Sequence, residues 1–171
     1  MIEFHKGFFQ KNYTLTENAV PIGSISHTFF HRTYNSKLNQ SEYIFTRIPG
    51  FLKKFVVSSI SENNLAEIRF PFWRNKATII LKNGAVYQWE QINFFSGSCR
   101  ISQRGKQILK FSESFRKGVI TGDTTNDLLV ISGLIVEDYK KFTATIILVI
   151  FLPILMRQTL FELLSFNYFK N

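Results

Sequence analysis

Ala77-Thr78-Ile79-Ile80-Leu81-Lys82 is followed by Asn83-Gly84 and then by Ala85-Val86-Tyr87-Gln88-Trp89-Glu90. Two runs rich in β-branched and aromatic residues, split by a dipeptide that accepts positive φ, fold back on each other, and Asn-Gly predicts a type I′ turn. The same pattern recurs up to about residue 120. Short apolar or alternating runs at residues 23–30, 42–48, 54–60 and 65–70 are each bounded by turn residues. A second hairpin is predicted across Gln103-Arg104-Gly105-Lys106, joining residues 99–102 to 107–111, with a further strand at 119–121. Many antiparallel strands at short spacing predict a mainly β domain, a closed barrel or a sandwich. Closure has the merit of leaving no unpaired edge.

The character changes at Gly122-Asp123-Thr124-Thr125-Asn126-Asp127. Thr124 followed by Asp127 resembles a capping box, and the run from Leu128 to Val136 then reads as a helix apolar on every side. Such a helix has no solvent face and must be wrapped by protein or lipid. A buried strand is the competing reading, because the run is short and rich in β-branched residues. After Glu137-Asp138-Tyr139-Lys140-Lys141, residues 142–156 carry no charge. As a helix they reach roughly 22 Å, short of the roughly 30 Å of a hydrocarbon core. The expected organisation is therefore a β domain over residues 1–141, with a central helix near 125–140, and an apolar helical segment over 142–171. Pro153 is expected to kink that segment.

Lys and Arg number 21 against 12 Asp and Glu, a net charge of +9. The surplus lies in the strand-rich part, since residues 121–171 hold only 4 Lys/Arg against 5 Asp/Glu. A basic β domain points to an anionic partner such as lipid head groups or to plain solubility charge. Within it, Arg100, Arg104, Lys106, Lys110, Arg116 and Lys117 stand against Glu113 alone. These six are the candidate anion-binding or lipid-binding residues. Single-stranded nucleic acid would want interleaved aromatics, and only Phe111 and Phe115 are available, which argues against that partner.

Other chemistry is sparse. No GxGxxG, P-loop, GxSxG or CxxC pattern occurs, so no enzyme and no cofactor are expected. His27 and His31 have helical spacing, but on a strand they would lie about 13 Å apart and share no metal. The acidic turn at 123–127 lacks the glycine and distal glutamate of a calcium loop. Cys99 is the single cysteine and reads as a small buried hydrophobe. With one cysteine and an N-terminus lacking an apolar signal stretch, a cytoplasmic location is expected.

Ile22-Gly23-Ser24-Ile25, Asn83-Gly84 and Asp127-Leu128-Leu129-Val130-Ile131-Ser132-Gly133-Leu134 together give the chain an arrangement that resembles the tubby C-terminal-like fold. That fold is shared by tubby proteins, plant LURP-one-related proteins and phospholipid scramblases, and the resemblance spans roughly residues 1–140. It implies a closed antiparallel barrel of about twelve strands around a central apolar helix, and a theme of membrane-lipid contact. No phosphoinositide-binding motif of the tubby proteins aligns, so no site residue carries over. The absence of a proline-rich arm and of a cysteine-rich palmitoylation cluster leaves scramblase activity unimplied.

The expectation is a non-enzymatic, membrane-linked binding or assembly module with a basic barrel surface, held at the cytoplasmic face of a membrane. Its partner would be anionic lipid or a membrane-protein subunit. The alternative is a fully soluble barrel of unknown ligand whose C-terminal helices pack in the core.

Overall fold

The computed structural model describes residues 1–6, 12–50, 53–71, 75–93, 97–114 and 116–168. Two compact units divide the chain, Met1–Glu137 and Asp138–Asn171.

The first unit is a closed barrel of twelve antiparallel strands. In order these are β1 (Ile2–Lys6), β2 (Asn12–Glu17), β3 (Val20–His27), β4 (Thr33–Leu38), β5 (Ser41–Ile48) and β6 (Lys54–Ser58). Then follow β7 (Ala66–Arg69), β8 (Lys76–Leu81), β9 (Val86–Asn93), β10 (Ser98–Gln103), β11 (Lys106–Ser114) and β12 (Lys117–Gly122). Each strand pairs with its sequence neighbours, and β1 closes the wall on β12 through Ile2 opposite Ile120 and His5 opposite Lys117. Period-two alternation sends one face of every strand inward. Tyr34, Ser36 and Leu38 of β4 are buried between exposed neighbours, as are Leu109 and Phe111 around exposed Lys110 of β11.

The interior is filled by the start of α1 (Asp127–Tyr168). Leu129, Val130, Ile131, Ser132, Leu134, Ile135 and Val136 are all buried, and each large apolar one contributes about 1.5–3 kcal/mol by leaving water. Gly133 is required by a close approach: a Cβ there would sit 2.2 Å from Cζ of Phe111. The helix reading of residues 128–136 is correct, and the competing strand is not formed.

Three local expectations need correction. The helix cap is Asn126, whose Oδ1 accepts from Leu129 N at 3.1 Å. Thr124 does not serve, because Asp123 folds an Asx turn instead, accepting from Thr125 N and Oγ1 at 3.2 and 2.5 Å. The Asn83-Gly84 hairpin forms, but only Gly84 has positive φ, at 81°. Gly84 N donates to Leu81 O at 2.9 Å, which makes a three-residue loop closed by a left-handed glycine rather than a type I′ pair. Two-residue loops with both φ positive occur instead at Arg104-Gly105 and Asn18-Ala19. Finally, no break separates the central helix from the tail: Glu137-Asp138-Tyr139-Lys140-Lys141 contains no glycine or proline to end it, and α1 is one 42-residue helix.

In the second unit, Pro153 lies inside α1 and removes one backbone donor. Ile146, Ile147, Leu148, Val149, Ile150, Phe151 and Leu152 are all exposed.

Antiparallel up-and-down order gives the barrel two rims. The entry rim carries the N-terminus of α1 and the β2–β3, β4–β5, β6–β7, β8–β9 and β10–β11 connections. It is tied to the helix by Asn39 Nδ2 donating to Asp127 Oδ1 at 2.9 Å. The far rim carries the β1–β2, β3–β4, β5–β6, β7–β8, β9–β10 and β11–β12 connections.

Candidate functional site

The six basic residues singled out by sequence do not form one patch. Arg100 and Lys110 face each other across β10 and β11 on the outer wall. Arg104 and Lys106 belong to the entry rim, whereas Arg116 and Lys117 belong to the far rim, roughly 27 Å away along β11 at about 3.4 Å per residue. Phe115 lies outside the described residues. Arg100 is also engaged: its Nε donates to Glu90 Oε1 at 2.6 Å, and Lys76 Nζ lies 3.2 Å from Glu90 Oε2. The Arg100 and then the Lys76 hydrogen bonds hold the Glu90 carboxyl below its ordinary value. Lys54 and Arg69 grip Glu67 in the same way, Arg69 having the larger effect.

Folding gathers charge that is scattered in the sequence. Lys6 closes β1, Arg32 precedes β4, and Arg47 stands beside the end of β5. Lys53 and Lys54 lead into β6, Arg69 closes β7, Lys76 opens β8, and Arg116 and Lys117 lead into β12. Among the described residues in the far-rim connections and the two flanking positions of each strand, nine cations therefore meet one carboxylate, Glu113, and counting also Glu67 and Glu90, which pair with Lys54, Arg69 and Lys76, they meet three. The entry rim, counted alike, has four cations, Lys37, Lys82, Arg104 and Lys106. They face six carboxylates, Glu3, Glu17, Glu42, Glu62, Asp123 and Asp127. Sequence reading missed this asymmetry because the far-rim cations come from five connections that meet only once the barrel closes.

A groove of about 550 Å³ crosses β1, β11 and β12, lined among others by Glu3, Phe4, His5, Glu113, Lys117 and Val119. Its two carboxylates outnumber its one lysine, so it has no preference for anions.

His27 and His31 overturn the strand-based spacing argument. β3 ends at His27, and a 3-10 turn at Phe29–His31, with φ of 61° at Phe30 and 51° at His31, folds the second imidazole onto the first. The rings stack at 3.8 Å between centroids, with Tyr34 5.5 and 5.6 Å from them. His27 Nδ1 lies 3.1 Å from Thr28 O, which fixes it as the donor. Cys99 is buried as expected, and its Sγ donates to Glu137 Oε2 at 3.5 Å. That buried carboxylate is a polar partner of Cys99 that the sequence does not reveal.

No protein-family model, curated protein or solved structure matches the chain. Function therefore rests on the fold and its surfaces.

Proposed function

We propose that this protein is a non-enzymatic, membrane-linked binding or assembly module, a basic barrel attached through the exposed apolar part of α1 at the cytoplasmic face of a membrane. The observation that carries the reading is the run of seven consecutive exposed apolar side chains at 146–152. Soluble monomers rarely leave contiguous apolar surface of that kind uncovered, which marks it for lipid or for a partner subunit. Among the described residues no helical stretch is long and apolar enough to cross a membrane. Attachment in the interfacial layer, or beside a membrane-protein subunit, is the form this reading takes. Lys140-Lys141 just before the apolar run agrees with a cytoplasmic N-terminal side. The resemblance to the tubby C-terminal-like fold adds a theme of lipid contact and no residues.

The test is fractionation of the full chain. It should sediment with membranes and leave them only in detergent, and Leu148→Glu with Phe151→Glu should release it. A wild-type chain that is monodisperse and monomeric without detergent would end this reading in favour of the soluble barrel.

A further inference from the structure

We infer that the far rim of the barrel is a docking face for an anionic phospholipid bilayer. This deepens the membrane-linked reading and rests on it. The two rims differ in charge: nine described cations stand against at most three carboxylates at this rim, four against six at the other. A random scatter of solubility charge has no reason to follow the up-and-down order of strands. A surface that presses against a sheet of anionic head groups has one, because every cation within a Debye length of that sheet adds to the attraction.

The available charge is real. Arg32, Lys53 and Lys117 are exposed and form no ion pair with a described carboxylate, while Lys54, Arg69 and Lys76 share Glu67 and Glu90. Phe30 stands among them with 57% of its surface exposed, on backbone held at φ 61°. A non-glycine residue keeps such a conformation only where its surroundings impose it, and here the result is a phenylalanine turned outward beside Arg32.

The entry-rim connections contain no aromatic residue, whereas the β3–β4 connection at the far rim presents the exposed Phe30 beside Arg32. Cations beside an exposed aromatic suit the head-group layer of a bilayer, where the charges stay wet and the ring is half immersed. A soluble polyanion would be held by the cations alone.

The experiment measures binding of the full chain to vesicles of neutral phosphatidylcholine and to vesicles containing about one-third phosphatidylserine, across a salt series. The rim variant is Arg32→Glu with Lys53→Glu, and the matched control is Arg104→Glu with Lys106→Glu on the entry rim. Each cation near an anionic surface being worth about fivefold, the rim variant should lose at least about tenfold on the anionic vesicles. The control should change less than about twofold. Phe30→Ser should weaken binding without changing its salt dependence.

Equal binding to both vesicle types with no effect of the rim variant would overturn the docking face while leaving attachment through α1 intact. Failure of the wild-type chain to bind either vesicle would overturn both. Equal losses in rim and control variants would reduce the effect to net charge. A rim variant that loses binding to a mixed-sequence single-stranded oligonucleotide but not to anionic vesicles would assign the surface to a polyanion instead.

Discussion

Two stretches of α1 are both apolar and meet opposite fates. From Leu129 to Val136 the side chains are at most 2% exposed, whereas from Ile146 to Leu152 every one is at least 36% exposed. Hydrophobicity says that a helix must be covered, and it does not say by what. The first stretch is covered because twelve strands close into a ring with room for one helix. The second, with neither serine nor glycine, is more apolar still and is left exposed.

A paired substitution breaks this comparison most sharply. Leu134→Asp places an unpaired carboxylate in the barrel core, at a cost of several kcal/mol, and should abolish folding. Leu148→Asp should leave the thermal unfolding of the barrel in mild detergent within about 0.5 kcal/mol of the original, while weakening membrane retention. Folded Leu134→Asp protein by circular dichroism would mean that α1 does not fill the barrel.

A smaller effect is expected from Gly133→Leu. The added side chain meets the Phe111 ring, so overpacking should cost about 1–3 kcal/mol in denaturant unfolding. The same change at the exposed Thr145 should cost almost nothing.

Lys140 stands between the two stretches, and burial pushes its ammonium down to about 8 from 10.5. In that window the unfolded chain holds more protons than the folded one, so stability should rise with pH between about 8 and 10.5. Thermal melts of the wild type and of Lys140→Met should therefore converge as pH rises. A gap that is constant with pH would place the Lys140 titration outside this range.

Ser132→Ala should have the smallest effect. Ser132 Oγ is buried without a hydrogen-bond partner among the described residues, so its loss should be neutral or stabilising by at most about 1 kcal/mol. Marked destabilisation in a melt would reveal a partner.

Much of the fold was legible because local chemistry and global topology agree. Asn83-Gly84 and Arg104-Gly105 predicted their hairpins, but the two-residue loop with both φ positive formed at the second and not at Asn83-Gly84, because strand register, which fixes loop length, is not written in the dipeptide. Strands β1, β2 and β4 were harder to read. The inward row of β4 is Tyr34, Ser36 and Leu38, and a serine in the core blurs the alternation. The stacking of His27 on His31 was illegible for a related reason: two residues in the left-handed region turn the chain within four positions, with no glycine to signal it. The cationic rim was hidden most completely. Arg100, Arg104, Lys106 and Lys110 are near neighbours in sequence and looked like a cluster, yet the far rim draws its charge from positions as distant as Lys6 and Lys117.

The seam between β1 and β12 also orders events in time. Ile2 finds its partner Ile120 only after nearly the whole wall has been made, and the helix that fills the interior follows later still. Contacts so remote in sequence are slow to form, and strands waiting for them expose inward apolar faces and unpaired edges. On a ribosome the first 120 residues would emerge as hairpins with nothing to fold around. Productive folding is thereby deferred until α1 is released, and a chain interrupted before Asp127 would carry every strand of the barrel and none of its centre.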